Sequence, residues 1–154
     1  MAAYSKILVP VDFSEHSMEA IKQAREIAGR FNAELHLITV VDPGPPAATA
    51  AELYPVYRDY LRQEQAQATS RLNELAASIA GSTPVQHFLR TGHVQQEIVK
   101  YIEENGIELV ILGTHGRTGV SHWFMGSVAE KVARFAPCSV LIARSKETSG
   151  RPKN

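Results

Sequence analysis

The stretch SKILVPVDFSEHSMEAIKQAREIAGRFNAELHLITVV, residues Ser5–Val41, holds two short apolar runs on either side of a helical pattern. The runs Ser5–Val11 and Glu34–Val41 are rich in β-branched residues, which is typical of buried strands. Between them, apolar residues recur at helical spacing over Met18–Phe31, and Ser14 is the predicted N-cap. Two buried strands joined by one helix predict a right-handed β-α-β unit with parallel strands.

The same alternation continues along the rest of the chain. The further predicted elements are helix Pro55–Ala80, strand Val85–Arg90, helix Val94–Asn105, strand Leu109–Leu112, helix Ser127–Phe135 and strand Cys138–Arg144. One stripe of the long second helix is predicted to be core: Leu61, Gln65, Ala68, Leu72, Leu75 and Ile79. This order predicts a single α/β domain, an open twisted sheet of five mainly parallel strands with helices on both faces.

The composition favours a soluble globular protein and argues against several functional classes. The chain has 154 residues, 44% of them hydrophobic and 21% charged, and its Lys+Arg and Asp+Glu counts are both 16. A net charge of zero gives no support for a nucleic-acid partner or an anionic membrane surface. The single cysteine excludes an internal disulfide, and no apolar run suits a signal peptide or a membrane span. We therefore expect a cytoplasmic protein.

A glycine-rich segment follows the fourth predicted strand. The sequence GTHGRTGVSHWFMGS, Gly113–Ser127, begins at the carboxyl end of that strand, where ligands bind in open α/β sheets. Glycines there let main-chain N–H groups face an anion, and the first N–H groups of the last helix suit a phosphate. The spacing is neither GxxxxGK[ST] nor GxGxxG. From the residues alone, an anion-binding loop and a merely flexible loop both remain open.

Several motifs taken together resemble the universal stress protein family, in its ATP-binding branch. They are KILVPVDFSEHS, LHLITVVDP, the Thr91–Gly92 turn, GTHGRTG within a G-x2-G-x9-G-S pattern, and the closing APCSVLIAR. The resemblance implies a Rossmann-like, adenine nucleotide alpha hydrolase-like sheet with strand order 3-2-1-4-5. It also implies a homodimer formed through strand 5 and a nucleotide-binding domain over residues 1–144. Residues 145–154 are polar and are predicted to form a disordered tail.

The resemblance further implies a nucleotide site at the carboxyl ends of strands 1 and 4. The residues that it places there are Pro10, Val11, Asp12, Val40, Gly113, Gly116, Arg117, Gly126, Ser127 and Val128. Val40 would contact the adenine, the first two glycines would pass close to the ribose and phosphates, and Gly126–Val128 would hold the β- and γ-phosphates. His115 and Arg117 would add charge or hydrogen bonds. Asp12 would approach the ribose and phosphates, directly or through an Mg or Mn ion that accompanies ATP.

Local structural roles remain as alternatives for some of these residues. Asp12 is also placed to cap the first helix, and Ser127 to cap the last. The six histidines show neither HxxxH nor HExxH spacing, and with one cysteine they do not indicate a structural zinc site. Trp123 and Phe124 are expected to anchor the last helix against the sheet.

The resemblance implies an ATP-binding regulatory or sensor module in the stress response. Two alternatives remain open. One is a weak ATPase or nucleotide-transferring enzyme on the same fold, and the other is a nucleotide-free dimer that acts through protein contacts. The chain has neither a GxSxG elbow nor a CxxC pair, so no catalytic motif favours the enzyme.

Overall fold

Strands and helices alternate in the parts of the chain that the computed structural model describes, residues 4–44, 54–114 and 125–144. In chain order they are β1 (Lys6–Pro10), α1 (Glu15–Phe31), β2 (Glu34–Val41), α2 (Tyr54–Ile79), β3 (Val85–Thr91), α3 (Val94–Asn105), β4 (Leu109–Gly113), α4 (Ser127–Phe135) and β5 (Ser139–Ala143). Each predicted element is confirmed, although Cys138 precedes β5 rather than beginning it. None of the described helices is both long and apolar enough to cross a membrane.

All five strands are parallel and form one sheet in the order β3-β2-β1-β4-β5. The chain adds β2 and β3 on one side of β1 and then returns to add β4 and β5 on the other. The predicted strand order is therefore confirmed. The order reverses between β1 and β4, which are paired through Ile7 with Leu109 and Leu8 with Val110. The carboxyl ends of these two strands are where an open α/β sheet binds its ligand.

The sheet has a separate hydrophobic core on each face. Helices α1 and α2 cover one face, which we name the α1/α2 face, and there they bury Leu37 and Ile111. Helices α3 and α4 cover the opposite α3/α4 face, where they bury Ile38 and Val110. Adjacent residues of a strand thus alternate between the two cores. Burial on both faces explains why the central strands are continuous apolar runs.

Helix α2 is longer than the sheet that it covers. Its 26 residues span about 39 Å at 1.5 Å per residue. The 8 residues of β2 span only about 26 Å at 3.3 Å per residue. The buried residues of α2 all lie in its C-terminal part, and they are Leu72, Ala76 and Ile79. The predicted core stripe is therefore wrong in its first half, where three residues are only partly buried, namely Leu61, Gln65 and Ala68.

A pair of polar side chains lies inside the α3/α4 face. His36 is 3% exposed, and its Nδ1 lies 2.7 Å from the hydroxyl oxygen of Tyr101. Its Nε2 lies 3.4 Å from Oε2 of Glu34. Burial lowers the pKa of His36 below its usual value and raises the pKa of Tyr101 to about 12. Both side chains are therefore neutral at pH 7.

Protonation of His36 should destabilise the folded protein at acidic pH. The unfolded chain takes up this proton near pH ~6.5, so the free energy of unfolding should fall as the pH drops from there through the lower folded-state pKa. We expect His36→Gln, which keeps a hydrogen-bonding group for Tyr101, to flatten this fall in urea unfolding between about pH 7.5 and about pH 5.5. His87→Gln on β3 is the control, because His87 is exposed. An equal flattening of the pH dependence in both variants would show that the loss of stability does not come from His36.

Candidate functional site

A cavity of about 460 Å³ lies at the carboxyl edge of the sheet, where the strand order reverses. Eight of the ten residues predicted for a nucleotide site line it: Pro10, Val11, Asp12, Val40, Gly113, Gly126, Ser127 and Val128. The other two, Gly116 and Arg117, lie outside the described residues, as do His115, Trp123 and Phe124. The ends of β1, β2 and β4 and the start of α4 thus place the eight around one cavity. That they bind a nucleotide stays a prediction.

Asp12 organises the chain between β1 and α1. Its Oδ1 accepts hydrogen bonds from the backbone N–H of Ser14, at 2.9 Å, and from the hydroxyl of Ser14, at 2.5 Å. The Ser14 hydroxyl oxygen in turn accepts the backbone N–H of Ser17 at 3.2 Å, which makes Ser14 the N-cap of α1 as predicted. Asp12 therefore stabilises the N-cap residue Ser14 but is not itself the N-cap. It lines the cavity at the same time, so the structural role does not exclude contact with a ligand.

Helix α4 begins at the cavity, and among the described residues no side chain caps it. Its N-cap is Gly126, whose backbone N–H donates to the carbonyl of Thr114 at 2.7 Å. Gly126 has φ −59°, which any residue can adopt, so its backbone conformation does not require glycine. Ser127 is the first residue of the helix, so the interpretation of Ser127 as the cap is wrong. The first N–H groups of α4 lack partners within the helix and lie at its positive end.

Gly113, the last residue of β4, is in close contact with helix α1. A Cβ at this position would lie 2.6 Å from the backbone carbonyl carbon and oxygen of His16 and 2.7 Å from its Cβ. A Cβ essentially never lies this close to a non-bonded heavy atom, so the approach of α1 to the end of β4 requires glycine here. The structure thus gives Gly113 a packing role that does not depend on any ligand.

The described lining of the cavity is negatively charged. Asp12, Asp42 and Glu64 line it, and no Lys, Arg or His among the described residues does so. An anion in the cavity would therefore depend on main-chain N–H groups, on α4 and on a cation. The described part of the chain contains no group of three or more His, Cys, Asp and Glu residues that could hold a metal ion. A cation would thus take further ligands from water or phosphate.

One wall of the cavity was not expected from the sequence. It comes from α1, β2 and the first half of α2, and its residues include Ser17, Thr39, Tyr60, Leu61, Glu64 and Ala68. Two of these residues belong to the stripe that was predicted to be core. The predicted second helix is much longer than the predicted strands. This difference in length could have indicated that part of the helix extends past the sheet and lines a cavity.

The chain is similar to proteins of one family over almost its whole length. The profile of the Universal stress protein family matches residues 3–144. Universal stress protein MJ0531 of Methanocaldococcus jannaschii is 34% identical over 142 residues, which cover 92% of this chain and 82% of that protein.

Solved structures of the same family share the fold. Universal stress protein UspA from Lactobacillus plantarum superposes with a TM-score of 0.82 at 29% identity, over 92% of this chain and 98% of that one. A universal stress protein in complex with cAMP superposes with a TM-score of 0.61 at 27% identity, over 95% of this chain and 98% of that one. The family profile, the curated relative and the shared sheet together show that this chain belongs to the universal stress protein family.

Proposed function

We propose that this protein binds ATP, together with Mg or Mn, and acts as a regulatory or sensor module in the stress response. The observation that carries the proposal is the start of α4, whose N-cap is a glycine and which lines the cavity where the sheet order reverses. A cavity of about 460 Å³ is within the usual range for small-molecule sites. The relative in complex with cAMP supports an adenine nucleotide as the class of ligand.

The phosphates would lie at the start of α4. The backbone N–H groups of Ser127 and Val128 belong to the first turn of the helix, where the helix dipole favours a negative charge. Gly126 has no side chain to keep a phosphate away from these N–H groups. The Ser127 hydroxyl is exposed and does not cap the helix, so it remains available to donate to a phosphate oxygen.

The adenine would lie on the α3/α4 face beside Val40. Val40 and Val94 are both partly buried against the core of that face, and both line the cavity. Ile98 completes an apolar surface there and is fully buried. The two faces of the flat aromatic ring gain by leaving water for such a surface, because burial of apolar area is favourable at about 25 cal/mol per Å².

We propose that a divalent ion connects Asp12 to the phosphates, because the described lining offers no basic side chain. Asp12→Asn is the sharpest test, since the amide keeps an oxygen to accept from Ser14 while the negative charge is lost. We expect the Kd of ATP measured in Mg²⁺ to rise about tenfold, or ~1.4 kcal/mol. The Kd measured in EDTA should change little. An equal loss in both conditions would contradict a role through the ion.

The proposed ligand can be tested directly on the purified protein. Acid extraction followed by mass spectrometry should release an adenine nucleotide. Calorimetry on protein stripped of nucleotide should show ATP binding in Mg²⁺, and ATP should raise the melting temperature, because a ligand that binds only the folded state stabilises it. If no adenine nucleotide is recovered and ATP gives neither heat nor stabilisation, the proposal is wrong. Steady release of ADP would instead favour the weak ATPase.

We also propose that two copies associate through β5. This strand is at the edge of the sheet, and in the described residues it is paired only with β4. Its central residues, Val140, Leu141 and Ile142, are only partly buried in the single chain. An unpaired strand edge can accept a second strand. Sedimentation equilibrium with and without ATP would show whether the dimer forms and whether the nucleotide stabilises it.

A further inference from the structure

We propose that the part of the cavity beneath α2 is a second ligand compartment, and that it takes a small organic cation with an apolar body. The compartment is defined by Ser17, Thr39, Leu61, Glu64 and Ala68, with Tyr60 at its mouth. It lies on the opposite face of the sheet from the surface proposed for the adenine. The proposal therefore does not depend on nucleotide binding.

The alternation of side chains along β2 separates the two compartments. Leu37 belongs to the core of the α1/α2 face, whereas Ile38 and Val40 belong to the α3/α4 face. Since alternate residues of a strand share a face, Thr39 points to the α1/α2 face. Helices α1 and α2 place their buried residues in that same core. The cavity thus extends over the edge of the sheet, with one compartment on each face.

The compartment exists because the first half of α2 extends beyond the strands beneath it. The stripe that packs as core at Leu72 continues toward the helix N-terminus through Ala68 and Leu61, but these two residues are only partly buried. Both line the cavity, together with Val11 at the end of β1. These aliphatic side chains provide an apolar surface for the hydrocarbon part of a ligand.

The two buried hydroxyl groups of the compartment can offer a ligand only hydrogen-bond acceptors. The Thr39 hydroxyl donates its single proton to the carbonyl of Val11 at 3.1 Å, and the Ser17 hydroxyl donates to the carbonyl of Ser14 at 3.0 Å. Thr39 is 5% exposed and Ser17 is 4% exposed, and both line the cavity. A hydroxyl that has donated its proton has only lone pairs left to offer. A ligand must therefore bring the donors.

The charge of the compartment favours a cationic ligand over a neutral hydrogen-bond donor. Glu64 lines the compartment with a carboxylate, which accepts hydrogen bonds but does not donate them. No Lys, Arg or His of the described residues lines the cavity, so no basic side chain of that lining neutralises Glu64. Arg71 lies on the same helix, but its guanidinium stacks 4.1 Å from the centre of the Phe13 ring. Tyr60, which is 59% exposed, adds an aromatic face that attracts a cation.

The first test uses three probes with the same hydrocarbon body. Hexylamine carries an ammonium group, hexanol is neutral and hexanoate is an anion. By NMR titration of the full chain we expect hexylamine to bind at least ~10 times more tightly than either of the others. Glu64→Gln should remove this preference, whereas Glu74→Gln, an exposed carboxylate further along α2, should leave it unchanged. Equal binding of the three probes to the unmodified protein would overturn the proposal.

The second test separates this compartment from the nucleotide site. Ala68→Phe places an aromatic ring in the compartment, so it should abolish hexylamine binding while changing the Kd of ATP less than about twofold. Loss of both ligands with the fold retained would assign this space to the nucleotide site and overturn the proposal. Displacement of hexylamine by ATP from the unmodified protein would also overturn it. If ATP does not bind at all, the proposed function is wrong. The preference for hexylamine over the other two probes would still test the second compartment.

Discussion

The substitution Gly113→Ala is expected to lower the free energy of unfolding by about 3 kcal/mol, the upper end of what overpacking costs. The added methyl group would lie 2.6 Å from the backbone carbonyl of His16, and backbone atoms cannot rotate away as a side chain can. Helix α1 must therefore shift from the end of β4, and its contacts with the sheet must loosen. Urea unfolding without nucleotide measures this effect, because no ligand is involved in the clash.

The matched control for this prediction is Gly29→Ala in the interior of α1. A Cβ at Gly29 would have no neighbour within 4 Å, and alanine favours the helix by roughly 0.5–1 kcal/mol relative to glycine. The same chemical change should thus stabilise the protein at position 29 and destabilise it at position 113. If Gly113→Ala leaves the unfolding free energy unchanged but weakens ATP binding, this glycine serves the ligand and the packing argument is wrong.

The fold could be predicted from the sequence because its signals are local. Each strand is a short apolar run, and local signals mark several helix ends, such as Ser14 as the N-cap of α1 and Gly106 as the C-cap of α3. The strand order was implied by the family resemblance rather than by any local signal. Successive β-α-β units place β2 and β3 on one side of β1, and β4 and β5 lie on the other side. With right-handed crossovers, this reversal puts α1 and α2 on one face of the sheet and α3 and α4 on the other.

The site could be predicted only in part, because some of its features are tertiary. Gly113 is required by the close contact between the end of β4 and the first turn of α1, which are far apart in the chain. The sequence could therefore suggest only a ligand as the reason for this glycine. The stripe on α2 shows which side of that helix is apolar. It does not show where the sheet beneath the helix ends, so Leu61 and Ala68 were assigned to the core although they line a cavity.

The substitution Gly126→Val is expected to raise the Kd of ATP at least about 100-fold, or ~2.7 kcal/mol, while leaving the fold intact. The backbone at Gly126 has φ −59° and ψ 154°, which valine adopts without strain. The branched side chain would stand before the first N–H groups of α4 and keep a phosphate away from them. Calorimetry measures the affinity, and circular dichroism and melting without ATP check the fold. Normal ATP binding by the folded variant would show that the phosphates do not lie at this helix.

A second substitution at the same position distinguishes blocked N–H groups from a damaged helix. Serine is a favoured N-cap residue, and its hydroxyl would accept a hydrogen bond from an N–H of the first turn of α4. We expect Gly126→Ser to stabilise the nucleotide-free protein by a few tenths of a kcal/mol, and yet to weaken ATP binding, because the hydroxyl occupies a donor that the phosphate would use. Valine and serine have opposite effects on the helix and the same expected effect on the ligand. A loss of affinity in both variants therefore cannot be explained by damage to the helix, and it would support phosphates at the start of α4. Normal affinity of the serine variant would show that the phosphate does not use the N–H group that the hydroxyl occupies.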